Sequence, residues 1–242
     1  NFGNPYKPEI YWQFKEEIEG IGEACRYFDT PVTGGNVSFY NESPNAAVYP
    51  TPVIGMLGLI EDVKHITTSF FKDEEDIVVL LGENKSELGG SEYLNTIHDI
   101  VKGRPPQLDL DYEKRLQQMC LEAIKKYIVK SAHDVSDGGL AVALAECCIM
   151  NPKKSIGAEV TLDDNIRTDA LLFGETQSRI LISMEEKNFE LLQTIAQSHG
   201  IKATFIGRVG GEDLIINNFV KKNVNELSAL YYNRITEIMS KI

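Results

Sequence analysis

Four short segments hold residues whose types and spacing could do chemistry. The first is Thr33-Gly34-Gly35-Asn36-Val37-Ser38. Its two glycines let a backbone approach a ligand closely and turn its amides outward. Asn36 offers an amide oxygen to a hard cation such as Mg²⁺, and Ser38 a hydroxyl to a substrate. The same residues also read as a tight turn with a polar tip, because a lone Gly-Gly pair is a weak signal. The second segment is His133-Asp134-Val135-Ser136-Asp137-Gly138-Gly139-Leu140. Asp134, at a strand end, is a metal-ligand candidate, and Asp137 is either a ligand or an ordinary helix N-cap. His133 reads as a packing or hydrogen-bonding residue before a general base. The third is Phe173-Gly174-Glu175-Thr176-Gln177-Ser178-Arg179, where Glu175, Thr176 and Gln177 either bind a ligand together or decorate a solvated turn. The fourth, Leu88-Gly89-Gly90-Ser91-Glu92-Tyr93, is a glycine-rich helix entry. It can hold a phosphate on free amides or be a capped helix start, and the capped start is preferred. No Walker A, GxGxxG, HExxH or GxSxG pattern occurs.

The periodicities name the elements that must position these segments. Residues 8–28 place Ile10, Phe14, Ile18, Ile21, Cys25 and Phe28 at helical spacing, and Pro8 suits a first helical turn. The Gly-Gly loop follows. VIGMLGLIEDV (53–63) has the β-branched, apolar character of a buried strand. Residues 64–76 are polar and mark a domain boundary. DIVVLLGE (76–83) reads as a second buried strand. Gly89-Gly90-Ser91 opens a helix through Tyr93, Ile97 and Ile100, which RPPQ (104–107) breaks. Over 111–128 one helical face gathers Tyr112, Leu116, Met119, Cys120, Ala123, Ile124 and Tyr127. The His133 segment then reads as a short strand, a turn and a helix through 140–150. GAEVTL, RILISM, KATFIGRV and DLIINN are strand-like, the last short and at the end of the sheet. EKNFELLQTIAQSHG is a helix stopped by Gly200, and NVNELSALYYNRITEIMSKI is a closing amphipathic helix. Strands and helices mixed without strict βαβ alternation predict an α+β or mixed α/β fold.

Composition narrows the functional classes. With 24 Lys and Arg against 36 Asp and Glu, the net charge is −12. Such a surface repels nucleic acid and anionic membranes, so a bound nucleotide needs a locally positive patch, backbone amides or a metal ion. No apolar run approaches the ~20 residues of a membrane span, and no signal peptide is expected. Cys25, Cys120, Cys147 and Cys148 form no CxxC pair and read as buried reduced thiols, which fits the cytosol. The opening Asn-Phe-Gly-Asn-Pro lacks an initiator Met and reads as a turn entering a helix. An excerpt of a longer protein, with an incomplete first domain, is therefore expected.

Six motifs carry a resemblance. NFGNPYKPEIYWQF, TPVTGGNVSFYNES, YPTPVIGMLGLIED, SELGGSEY, SAHDVSDGGLAVALAE and LFGETQSR occur in this order. Each is weak alone, but together they span essentially the whole chain. The chain resembles the small-type synthetase subunits of phosphoribosylformylglycinamidine synthase, within the wider aminoimidazole ribonucleotide (AIR) synthetase-like superfamily.

The resemblance implies two tandem copies of a two-domain unit, of which this chain is most of the second. A truncated PurM-like ATP-binding domain would occupy 1–68, and a PurM C-terminal-like α+β domain 69–242. It implies ATP-dependent amidation of formylglycinamide ribonucleotide, with ATP and Mg²⁺ as cofactors. The partners implied are the N-terminal copy of the same polypeptide, a glutaminase subunit and a small bridging subunit. Position by position, Gly35 matches an ATP contact, Asn36 a Mg²⁺ ligand and Ser38 a substrate contact. A nucleotide-binding aspartate is expected just upstream of Asn1, and the family's catalytic histidine in the other copy, which leaves no catalytic residue here. Asp134 and the Glu175-Thr176-Gln177 cluster correspond to first-copy metal and substrate positions. In this copy they serve an auxiliary nucleotide site or plain structure. The rival reading is a non-catalytic scaffold half that completes a pseudo-dimer and docks partner subunits. An incomplete first sheet would also leave 53–63 as an open strand edge, so dimers through about 30–65 are expected.

Overall fold

The computed structural model describes residues 1–240. The chain divides into two compact units, Asn1–Leu59 and Ile60–Ile242.

In the first unit, α1 (Pro8–Phe28) begins on a proline and ends where Asp29 turns left-handed (φ 55°) and its amide returns to the Cys25 carbonyl. Ile10 is its buried residue. The Phe14 ring meets Phe2 and Phe39 edge-on at 5.2 and 5.1 Å, which gives the unit a small aromatic centre. The Glu42 carboxylate accepts from the Asn4 amide at 3.1 Å and the Lys7 ammonium at 3.0 Å, fastening the entry to α1.

The strand expected over 53–63 does not form. Residues 53–60 have no regular structure, and Val63–His65 is a single 3₁₀ turn. Val53 is 85% exposed and Leu57 wholly so. The reason lies in pairing rather than composition. A strand exists through a neighbour's donors and acceptors, and among this unit's described residues the only bridge joins Glu42 and Ala47.

The second unit is built on one seven-stranded sheet in the order β2-β4-β1-β5-β3-β6-β7. The strands are β1 (Ile77–Leu81), β2 (Ser131–Asp134), β3 (Ala158–Val160), β4 (Ile180–Met184), β5 (Ala203–Val209), β6 (Asp213–Ile216) and β7 (Val220–Asn223). Every pairing is antiparallel except β3 with β6. The helices are α2 (Glu92–His98), α3 (Leu110–Lys125), α4 (Gly139–Ile149), α5 (Thr168–Phe173), α6 (Phe189–His199) and α7 (Val224–Met239).

β1 is buried along its whole length because both faces of the sheet are covered. Ile77, Val79 and Leu81 pack with Leu116, Met119 and Ala123 of α3 and Leu192 and Ile195 of α6. Val78 and Leu80 point the other way, to Leu140, Leu144 and Cys148 of α4 and Leu171 of α5. Strand alternation thus feeds two cores from one five-residue run, each fully buried side chain being worth about 1.5–3 kcal/mol. Gly207 lets β3 cross close to β5, since a Cβ there would lie 2.0 Å from the Glu159 carbonyl oxygen.

Three details differ from the sequence reading. DLIINN does not end the sheet, because β7 pairs outside β6. VKKN is too polar to read as a strand, but its lysines suit an exposed edge. Tyr127 leaves the buried face of α3, which stops at Lys125, and it is exposed with φ 59°. Ile100 lies outside α2, which closes on a left-handed Asp99. Gly200 ends α6 as expected, at φ 65°.

Candidate functional site

The sequence-selected residues fall into two sets, one in each unit. In the first unit, residues 31–37 lie exposed and without regular structure. Gly34 and Gly35 have open space where a Cβ would stand, so a ligand can reach their backbone. Asn36 is exposed. Ser38 is half-buried and already engaged. Its carbonyl accepts from the Phe2 amide at 2.9 Å and from Asn41 Nδ2 at 2.9 Å, and its hydroxyl lies 3.3 Å from Asn41 Oδ1. The loop is thus anchored at Ser38 and open over 34–36.

In the second unit, the residues cluster around the turn between α5 and β4. One oxygen, Glu175 Oε1, accepts from the Glu92 amide at the start of α2 and from the Gly138 amide at the start of α4, both at 2.9 Å. A carboxylate suits two helix N-termini, where donors are free and the dipole is positive. The Glu175 amide returns to the Glu87 carbonyl at 3.2 Å. Thr176 is buried, its hydroxyl 3.4 Å from the Lys85 carbonyl. Gln177 is exposed and donates to the Glu175 carbonyl at 3.2 Å. Gly139 sits at φ 73°, and a Cβ on it would come 2.7 Å from the Gly174 carbonyl oxygen. Glycine is therefore required where α4 presses on this turn.

Asp137 does not cap α4: Gly138 holds the N-cap position at φ 79°, and its amide goes to Glu175. Asp134 ends β2 with its side chain 77% exposed. His133 makes hydrogen-bonding contacts, one of the two structural roles its position suggested. Nδ1 is 2.6 Å from the Asp134 carbonyl oxygen, and Nε2 is 3.1 Å from Glu146 of α4. The glycine-rich entry to α2 is a capped helix start. The Ser91 hydroxyl accepts from the Leu94 amide, the Gly90 amide goes to Lys102, and the Glu92 amide goes to Glu175.

The sequence reading missed Arg179. It is 3% exposed and donates to Thr176 O at 2.9 Å, Asn84 Oδ1 at 2.8 Å and Gly174 O at 2.7 Å. Burial lowers its pKa to about 10 against the pull of Glu87, Asp164 and Glu175. Asn84 passes the contact on to Asp164 at 2.9 Å. The signal was a lone arginine at the head of the apolar run RILISM.

Among the described residues no group of three or more His, Cys, Asp or Glu gathers to hold a metal. Asn36 supplies at most one oxygen. A cavity of about 400 Å³ lies beside Gln193, Gln197 and Lys202, and one of about 170 Å³ adjoins the Arg179 network at Asn84 and Asp164.

Residues 73–216 match the model of the AIR synthase related protein C-terminal domain, and residues 1–60 that of the N-terminal domain. The chain belongs to the AIR synthase related protein family. Among members of the family, it is 50% identical over 217 residues to phosphoribosylformylglycinamidine synthase subunit PurL of Caldanaerobacter subterraneus subsp. tengcongensis, covering 90% of this chain and 29% of that protein. It is 44% identical over 246 residues to the same subunit of Alkaliphilus metalliredigens, covering 100% of this chain and 33% of that one. The chain therefore spans about a third of the length of these relatives. The structure of T. maritima PurL complexed with FGAR is similar at a TM-score of 0.58 and 19% identity, over 69% of this chain and 30% of that one. That likeness supports the mixed α/β fold of the family. No helix among the described residues is long and apolar enough to cross a membrane.

Proposed function

We propose that this chain is part of a phosphoribosylformylglycinamidine synthase, a carbon–nitrogen ligase of purine biosynthesis. The observation that carries the reading is the 50% identity to a PurL subunit across 90% of the chain. The reaction is ATP-dependent amidation of formylglycinamide ribonucleotide to formylglycinamidine ribonucleotide. An amide oxygen is a poor leaving group. Moving the γ-phosphoryl of ATP onto it gives an iminophosphate and ADP, and ammonia then displaces phosphate. Such transfer depends on positioned donors and charge more than on a nucleophilic side chain.

In this reading Gly35 lies against ATP, Asn36 gives one oxygen to Mg²⁺, and Ser38 touches the nucleotide substrate. The openness of 34–36 supports the first two assignments. Asp134 and Asp137, exposed before α4, are left for an auxiliary nucleotide contact. The working domains are 1–68 and 69–242, divided within the stretch 61–72 that neither family model matches. The partners are the other copy within the same polypeptide, a glutaminase and a small bridging subunit, in the cytosol. A solved T. maritima assembly bearing the name PurLQS is consistent with a multi-subunit enzyme.

The test uses the full-length protein that carries this chain. Steady-state ADP release should require ATP, formylglycinamide ribonucleotide and ammonia together. Release independent of the ribonucleotide would overturn the reading. This chain alone should form no product.

A further inference from the structure

We infer that Glu175 is a positioning residue that clamps two helix starts, and that it acts as a hydrogen-bond acceptor rather than as a metal or substrate ligand. Both bonds fall on one oxygen, Oε1, from Glu92 N of α2 and Gly138 N of α4. A neutral acceptor in the same place satisfies the same donors.

The clamp joins two helix starts far apart in the chain, at Glu92 and Gly138. Residues 87–107 form an excursion closed at its base. The Gln107 amide bonds the Glu87 carboxylate at 3.1 Å and the Gly90 amide bonds the Lys102 carbonyl at 2.9 Å. Its helix, α2, has no buried residue of its own. It is fastened by Glu175 and by Tyr93, whose ring stacks on Phe173 at 5.0 Å and 2°. The other end of the clamp is the turn that follows Asp134 and Asp137 into α4. Residues 173–175 therefore act as a keystone: a ring against α2, a carbonyl held by Arg179 and pressed by Gly139, and a carboxylate across both helices. Loss of Glu175 releases the α2 excursion and loosens the Asp134–Asp137 turn, with the sheet intact.

Hydrogen exchange on the full-length protein tests this by comparing Glu175→Gln, Glu175→Ala and Glu175→Asp. Glu175→Ala should speed exchange of the amides around 92–94 and 138–140 by about tenfold or more, the expected result of removing one or two net hydrogen bonds. Glu175→Gln should stay within about threefold of the parent. Glu175→Asp, one methylene shorter, should release at least one of the two sites. The parent's exchange in β1 should be kept in all three. The inference fails if Gln is as damaging as Ala, or if Ala leaves both sites protected. It also fails if Gln abolishes Mg²⁺-nucleotide binding while exchange is unchanged, since that is the behaviour of a ligand. Should Glu175→Ala not fold, the Gln and Asp variants still decide between acceptor and charge. The readout does not depend on synthetase activity, so the clamp and the proposed reaction can fail separately.

Discussion

Residues 53–60, VIGMLGLI, and β1, IVVLL, are nearly matched in apolar character and meet opposite fates. Leu57 is wholly exposed, whereas Leu81 is fully buried. β1 has β4 on one side and β5 on the other, with helices over both faces. The 53–60 run has no ladder partner within its unit. Apolar composition therefore selects which segments can enter a core, and neighbours decide which ones do.

The sharpest way to break this contrast is a charge in each run. Val79→Asp in the full-length protein should abolish cooperative folding of the sheet unit, a loss above about 4 kcal/mol from an unpaired buried carboxylate. Leu57→Asp should leave that transition in place. Urea unfolding followed by circular dichroism compares the two, and equal losses would contradict the structure.

The exposed unit should instead matter for turnover. Asn36→Ala is expected to lower turnover by about 10²–10³ in the full-length enzyme, through lost charge stabilisation in phosphoryl transfer, with an unchanged melting temperature. Normal turnover at limiting Mg²⁺ would make Asn36 a turn residue only.

A smaller effect sits at the head of β1. Asp76 is buried, and burial raises its carboxyl pKa despite a 2.8 Å bond from Lys130. At Lys130 burial acts downward, but the contacts with Asp73 and Asp76 outweigh it and raise the ammonium. Because the folded carboxyl holds its proton more tightly, its stabilising contribution is complete below the unfolded value near 3.8. It is then lost as pH rises through the folded value. The stability of the parent relative to Asp76→Asn should therefore decline with rising pH across that acid window and then level off. Urea titrations at stepped pH read this directly, and a relative rise with pH would refute it.

The smallest expected effect sharpens the contrast from the other side. Leu57→Ala should change the stability of the folded units by no more than about 0.5 kcal/mol, whereas Leu81→Ala should cost about 2–5 kcal/mol. A large loss at Leu57 in the full-length protein would mean that the run is covered there, and association or protection measurements would then locate its partner.

By itself the sequence determined the helices with strong periodicity and clear ends, as in α1 with its first-turn proline and α6 with its glycine stop, because those signals are local. It also marked β1, whose five apolar residues suit a strand covered on both faces. The motifs placed the chain in its family, since six ordered segments are specific even where each is weak. Tertiary structure alone decided the rest. It left 53–60 unpaired, because strand formation depends on a neighbour distant in sequence. It added β7 outside β6, because an edge strand can be polar. It set Glu175 Oε1 where two helix starts donate to it, and it buried Arg179 against the Thr176 and Gly174 carbonyls. The donors to Glu175 lie 83 and 37 positions away and the Asn84 acceptor of Arg179 lies 95 away, separations that no local pattern encodes, although the two carbonyls that Arg179 bonds are near in sequence.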